Sequence, residues 1–180
     1  MSIFTKVQMR KPKYNTFDLS HERKFSAPFG MLVPIHLMEC VPGDKIHMST
    51  SQMLRMAPML APIMHQVTMY THFFFVPNRL VWSNWESFIT GGEDGQDASV
   101  FPTIDTTFDT NSIGDFFGLP NTVGVKTIQV SALPFAMYQL IWNEYFRDQN
   151  LQTVGADNPD PQLTDGDNTA NTLLVARHFR

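Results

Sequence analysis

One cysteine, Cys40, is all that the chain contains. A single thiol can close no internal disulfide and can build no cysteine-based metal site, which fits a reducing compartment. Charge is scarce as well: Asp, Glu, Lys and Arg make up 17% of the 180 residues. The opening residues Met1-Ser2-Ile3-Phe4-Thr5-Lys6 lack an apolar run of signal-peptide length. No stretch approaches the ~20 consecutive apolar residues of a membrane helix, so no membrane partner is expected. Catalytic signatures are missing too. There is no Gly-x-Ser-x-Gly and no HExxH, and Gly91-Gly92-Glu93-Asp94-Gly95 carries acids that would repel a phosphate. No internal repeat is visible.

What the chain has in excess is soft apolar bulk, with 15 Phe, 11 Met and 43% hydrophobic residues overall. That content excludes disorder, and the length suffices for one domain with a real core. A lone soluble domain rarely exposes large apolar patches. The surplus therefore points either to a Met-rich core or to surface buried against other chains.

The net charge of −4 is unevenly spread. Residues 1–55 hold eight Lys and Arg against four acids, which is +4; residues 56–180 hold five against thirteen, which is −8. Lys6, Arg10, Lys11 and Lys13 all precede the first acid. A basic arm on an acidic chain can reach phosphates while the rest stays soluble. Four charges are few for one copy, because affinity scales with the phosphates neutralised; in an assembly of many copies they add up. The competing reading is an arm that laces neighbouring subunits together.

Residues 1–30 carry Pro12 and Pro28 and no sustained periodicity, as an extended arm would. Residues 31–41 are an apolar run interrupted by Pro34, Pro42-Gly43-Asp44 is a turn, and residues 45–50 alternate polar with apolar. These two runs read as an antiparallel pair. Residues 67–76 place Val67, Met69, Thr71, Phe73 and Phe75 on one face and Thr68, Tyr70, His72, Phe74 and Val76 on the other. β-Branched and aromatic residues on both faces indicate a long strand covered on two sides. A short helix is expected over 83–89, N-capped by Ser83 and stopped by Gly91-Gly92. Residues 91–124 form a polar insertion with six acids and no Lys or Arg. Residues 126–130 alternate as a strand. Residues 131–150 are the clearest helix, with Pro134 in the first turn and Phe135, Tyr138, Trp142, Tyr145 and Phe146 near one stripe. A second polar loop spans 152–172, and an apolar run over 172–176 follows it. Short strands between long insertions indicate a β-sandwich or jelly roll. About five strands are visible where a jelly roll needs eight, so the chain is expected to be part of a longer polypeptide.

Six histidines raise the question of a metal. His36-Leu37-Met38-Glu39 supplies one His and the carboxylate of a cupin-like site, but Met38 stands where the second His belongs. His65 and His72, seven apart, face opposite sides of a strand. No metal, cofactor or catalytic residue is therefore expected. The acid pairs Asp94/Asp97 and Asp165/Asp167 could hold Ca²⁺ but read better as solvated loop acids. Trp82, Trp85 and Trp142 could stack on bases. Arg79 is the only base near the first two, which favours packing.

Several strings stand out. They are Asn15-Thr16-Phe17-Asp18-Leu19-Ser20-His21-Glu22-Arg23-Lys24, Leu32-Val33-Pro34-Ile35, Val41-Pro42-Gly43-Asp44 and Met56-Ala57-Pro58-Met59-Leu60-Ala61-Pro62. Longer still is Tyr70-Thr71-His72-Phe73-Phe74-Phe75-Val76-Pro77-Asn78-Arg79-Leu80-Val81-Trp82. Leu133-Pro134-Phe135 follows, and then the run from Leu140 to Leu151. Together these strings resemble the major capsid proteins of the microvirus family, particularly its gokushovirus branch, and the similarity covers about residues 14 to 151.

The resemblance implies a mainly β protein, a viral single jelly-roll β-sandwich with long loop insertions and a few short helices. Residues 1–30 would be its extended basic N-terminal arm. Residues 31–180 would be the N-terminal portion of the jelly-roll domain, with insertion loops at 91–124 and 152–172. It further implies a non-enzymatic protein that assembles in the host cytoplasm into an icosahedral T=1 shell around circular single-stranded DNA. The expected partners are copies of itself, the packaged DNA and other virion proteins. Two alternatives from the residues alone are a jelly-roll carbohydrate-binding module and a cupin-like metalloprotein.

Overall fold

In the computed structural model, residues 10–121, 127–152 and 162–164 are described. Lys6, the apolar run 172–176 and most of the loop 152–172 lie outside them. None of residues 10–76 is buried, and the buried hydrophobic core begins at Val81. The chain thus divides into an outlying first part and a packed second part.

The packed part starts with a 3₁₀ turn, Asn78–Leu80, following Pro77. It brings Val81 and Trp82 into the core, both fully buried. The helix α1 spans Trp85–Thr90. Its N-cap is Asn84, without a side-chain cap bond, so the expected start at Ser83 is moved by one residue. Gly91 ends it as anticipated: at φ 84° it adopts the left-handed conformation and returns its N–H to Ser87 O.

Residues 91–124, expected as a polar insertion, hold much of the core. The strand β1, Thr103–Thr106, lies within them and pairs antiparallel with β2, Ile128–Ser131. Ile104 sits opposite Val130 and is fully buried, while Gln129 Nε2 donates to Thr103 Oγ1 on the other face. The alternation is that of a two-stranded sheet with one covered side. The helix α2, Ile113–Phe117, follows, with Ser112 accepting a cap bond from Asp115 N. Gly118, at φ 91°, closes it, and Leu119 N donates back to Gly114 O. Sequence pattern missed both elements because four and five residues are too few to show a period above the surrounding acids.

The helix α3, Leu133–Ile141, has Pro134 in its first turn and runs into one π-helical turn, Trp142–Phe146. Phe135, Tyr138 and Trp142 are buried as the stripe anticipates. The wider π turn changes the angular step and breaks the stripe at Tyr145, which is 70% exposed. The core gathers Val81, Trp82, Ile104, Phe108, Ile113, Phe135 and Ala136, closed by Leu163, whose N–H donates to Val81 O.

The strands expected at 31–41, 45–50 and 67–76 have no ladder in the structure. The β1–β2 pair is the only sheet among the described residues, which are mostly non-helical. Side-chain pattern specifies an extended backbone, but a ladder also needs a second strand within reach. Residues 67–76 do keep the strand-like arrangement of their side chains. Rings two residues apart stack in series, Tyr70 on His72 at 6.4 Å and His72 on Phe74 at 6.1 Å, close to the ~6.6 Å repeat of alternate strand residues.

The tightest approach in the core tests this packing. A Cβ on Gly114 would stand 2.0 Å from Phe108 Cδ1, a side chain that is itself buried. Gly114→Ala should cost roughly 2–3 kcal/mol through overpacking. Gly118→Ala, strained by its positive φ alone, should cost about 1 kcal/mol. Denaturant unfolding midpoints check the ranking; a neutral Gly114→Ala would contradict the close approach.

Candidate functional site

Two exposed regions carry residues that the packed core does not use: the basic first segment and the aromatic run that ends at Pro77. Arg10, Lys11 and Lys13 are exposed to solvent and make no ion pair with described residues. Lys6 is outside the described residues. Three of the four arm residues thus lie among the described residues and are exposed to solvent.

Behind the arm, hydrogen bonds and a ring contact fasten residues 18–36 to the core, against which Leu32 also packs. Arg23 Nη2 donates to Phe116 O at 2.9 Å, at the carbonyl end of α2, where a cation is favoured. Phe25 meets Phe116 edge-on, with ring centroids 6.2 Å apart. Tyr138 Oη, from α3, donates to Leu32 O at 2.9 Å. Within the segment, Asp18 accepts bonds from the hydroxyl and N–H of Ser20, which hold its carboxyl below the usual carboxylate range.

This anchoring brings His21 against His36, with ring centroids 4.6 Å apart. His21 Nδ1 lies 3.0 Å from Leu19 O. A carbonyl can only accept, so Nδ1 carries the hydrogen and Nε2 is left bare in the neutral ring. Partial burial, then the fields of His21 and Arg23, push the His36 imidazole below its ordinary range. The folded chain therefore takes up this proton later than the unfolded chain as pH falls. The contribution of His36 to stability is complete above the ordinary imidazole range and declines as pH drops through it.

The aromatic run packs on the π turn through one edge. His72 meets Phe146 at 5.7 Å, and Phe74 meets Tyr145 at 5.1 Å and Phe146 at 6.1 Å. Gln52 Nε2 donates to Thr71 Oγ1. Otherwise the run faces water: Tyr70 and Phe75 are each 76% exposed and Phe73 is 57% exposed. Covering such side chains stabilises by about 2 kcal/mol each.

The remaining candidates resolve individually. Among the described residues no three His, Cys, Asp or Glu side chains gather where a metal could bind. His36 sits against His21, not in a cupin-like set with Glu39, and His65 and His72 lie in different surroundings. Asp97 is engaged locally, accepting bonds from the N–H and hydroxyl of Ser99. Cys40 is exposed. Trp82 and Trp142 are core residues; Trp85 lines an open cleft with Pro77, Asn78, Arg79, Glu86 and Ile89. Sequence reasoning missed the ring contact of His21 with His36. Its only signal was a basic string at 21–24, since the fold alone brings the second imidazole across.

Large apolar side chains thus stay exposed among the described residues, Tyr70, Phe73 and Phe75 with them. Comparison with known proteins gives the family. Residues 5–180 match the capsid protein (F protein) family of phages, and the chain belongs to that family. It is 38% identical to capsid protein VP1 of Chlamydia phage 1 over 174 residues, 89% of this chain and 29% of that protein. Against capsid protein VP1 of Bdellovibrio phage phiMH2K it is 41% identical over 140 residues, 75% of this chain and 26% of that one. Against capsid protein VP1 of Spiroplasma virus 4 the identity is 31% over 150 residues, 80% of this chain and 27% of the relative. The chain thus spans less than a third of the length of these curated relatives.

Removal of one anchor should loosen the segment behind the arm. Tyr138→Phe deletes the bond to Leu32 O at a cost of about 1 kcal/mol. Tryptic cleavage after Arg23 and Lys24 should then run roughly fivefold faster. An unchanged cleavage rate would show that Tyr138 does not hold the segment.

Proposed function

We propose that this chain is part of a structural capsid protein that assembles with copies of itself into an icosahedral shell around circular single-stranded DNA. The observation that carries the reading is the aromatic run over 67–76, with β-branched and aromatic residues on both faces and largely uncovered. A strand of this composition is built for burial on two sides. In the proposed protein the cover comes from the remaining strands of a single jelly roll and from neighbouring subunits. The chain spans less than a third of its relatives, so most of that sandwich would be contributed by the longer polypeptide. Residues 1–30 act as the arm and 31–180 as the first portion of the jelly-roll domain.

The protein performs no catalysis in this reading and resides in the virion, after assembly in the host cytoplasm. The arm residues Lys6, Arg10, Lys11 and Lys13 lie on the inner surface and touch phosphates without reading bases. Other virion proteins are its remaining partners. The family match favours the shell over a cupin-like metalloprotein. Family membership likewise favours it over a carbohydrate-binding module.

Two measurements test this. Sedimentation and negative-stain microscopy of the full-length protein should show closed particles of uniform size; a stable monomer at assembly concentrations would refute the proposal. Changing Lys6, Arg10, Lys11 and Lys13 to Gln should make particles release DNA at lower salt. The salt slope of retention should fall by about 0.7 for each phosphate that is no longer neutralised. Retention identical to the parent would remove the arm from the DNA interface.

A further inference from the structure

We propose that the cleft beside α1 is a two-fold contact between copies of this chain, in which Arg79 of each copy meets Glu86 of the other around Ile89 and Trp85. The inference rests on the shell reading above. The cleft lies where the 3₁₀ turn Asn78–Leu80 meets α1, and it is lined by Pro77, Asn78, Arg79, Trp85, Glu86 and Ile89. Spacings of three and four residues put Trp85, Glu86 and Ile89 on one side of the helix. The apolar part is left open by the other described residues. Ile89 is 61% exposed, and its neighbours in sequence around the cleft, Leu80 and Phe88, are exposed as well. The Phe88 ring lies 6.2 Å from that of Trp85, so the apolar surface is continuous. Arg79 and Glu86 are both exposed, and neither makes an ion pair with a described residue.

The charges identify the occupant. A two-fold contact repeats every pairing, so the surface that makes it must complement itself. One base and one acid beside an apolar centre meet that condition with a second copy of the same patch. A neighbour of unrelated sequence would have to supply both signs in the same register. In an icosahedral shell every subunit turns one face to a two-fold axis, and this face has the required composition. The acids that follow α1, Glu93, Asp94 and Asp97, do not line the cleft. Asp97 N donates to Gly91 O at 3.0 Å, within the turn that ends the helix. In the free subunit the two solvated charges contribute little to stability. Across the axis they fix the register of the contact and exclude wrong partners, while Trp85 and Ile89 supply its dry centre.

The test is charge reversal in full-length protein, read by light scattering as the concentration at which particles form. Arg79→Glu makes the patch wholly acidic and Glu86→Arg makes it wholly basic, so each variant repels its own copies. Each alone should need roughly tenfold more protein to form particles. An equimolar mixture of the two should assemble near the parent's concentration, because every acid then faces a base across the axis. Only a contact between copies predicts this rescue in trans. Single variants that assemble like the parent overturn the contact. So do variants that fail alone and fail in mixture, which assigns the cleft to the later part of the same polypeptide or to another protein. If a charge variant does not fold, Ile89→Ser decides: it should raise the concentration roughly tenfold, and assembly like the parent's overturns the contact. A parent protein that forms no particles overturns the shell reading, and this contact with it.

Discussion

A run with large apolar and aromatic side chains on both faces is not at rest in water, and residues 67–76 are such a run. Each amide and carbonyl along it asks for a partner, and each aromatic ring facing solvent forgoes the free energy of burial. One edge is met by the π turn through Phe146 and Tyr145. Tyr70, Phe73 and Phe75 stay largely uncovered by the described residues. The rest of the architecture turns on this imbalance. The core that begins at Val81 is complete enough to be packed and capped, while the segment before it holds its side chains ready and leaves them open.

The contrast also explains how the two parts are connected. Pro77 ends the run, the 3₁₀ turn Asn78–Leu80 swings the chain inward, and Val81 and Trp82 enter the core at once. The anchors from the earlier residues combine hydrogen bonds, Arg23 on α2 and Tyr138 on Leu32 O, with apolar contacts: Phe25 meets Phe116 edge-on, and Leu32 and Val76 pack against the core. Each such hydrogen bond is worth about 1 kcal/mol. Such a build suits a subunit that finishes its packing against further chain or further copies.

Much of the packed part could be read from the sequence. Pro134 and the Phe135, Tyr138, Trp142 spacing announce α3, Gly91 announces the end of α1, and the alternation near Ile128 announces β2. What stayed hidden has physical causes. β1 and α2 are too short for a period, and the six acids around them disguise Ile104, Phe108 and Ile113 as loop residues. The π turn redirects Tyr145 in a way no helical wheel anticipates. The strand pattern over 67–76 fixes the order of side chains but not a ladder, because pairing is a property of two segments and the pattern belongs to one. Of the candidate site, the arm charges were legible from composition, whereas the histidine pair required the fold.

Amide hydrogen exchange over residues 67–76 in assembled full-length protein is the decisive measurement. If this run is made to be paired and covered, its amides should exchange far more slowly than those of the arm at residues 10–20, approaching the protection of the core around Ile104 and Ala136. Exchange as fast as that of the arm, in particles that are otherwise intact, would show that the run is not buried on assembly.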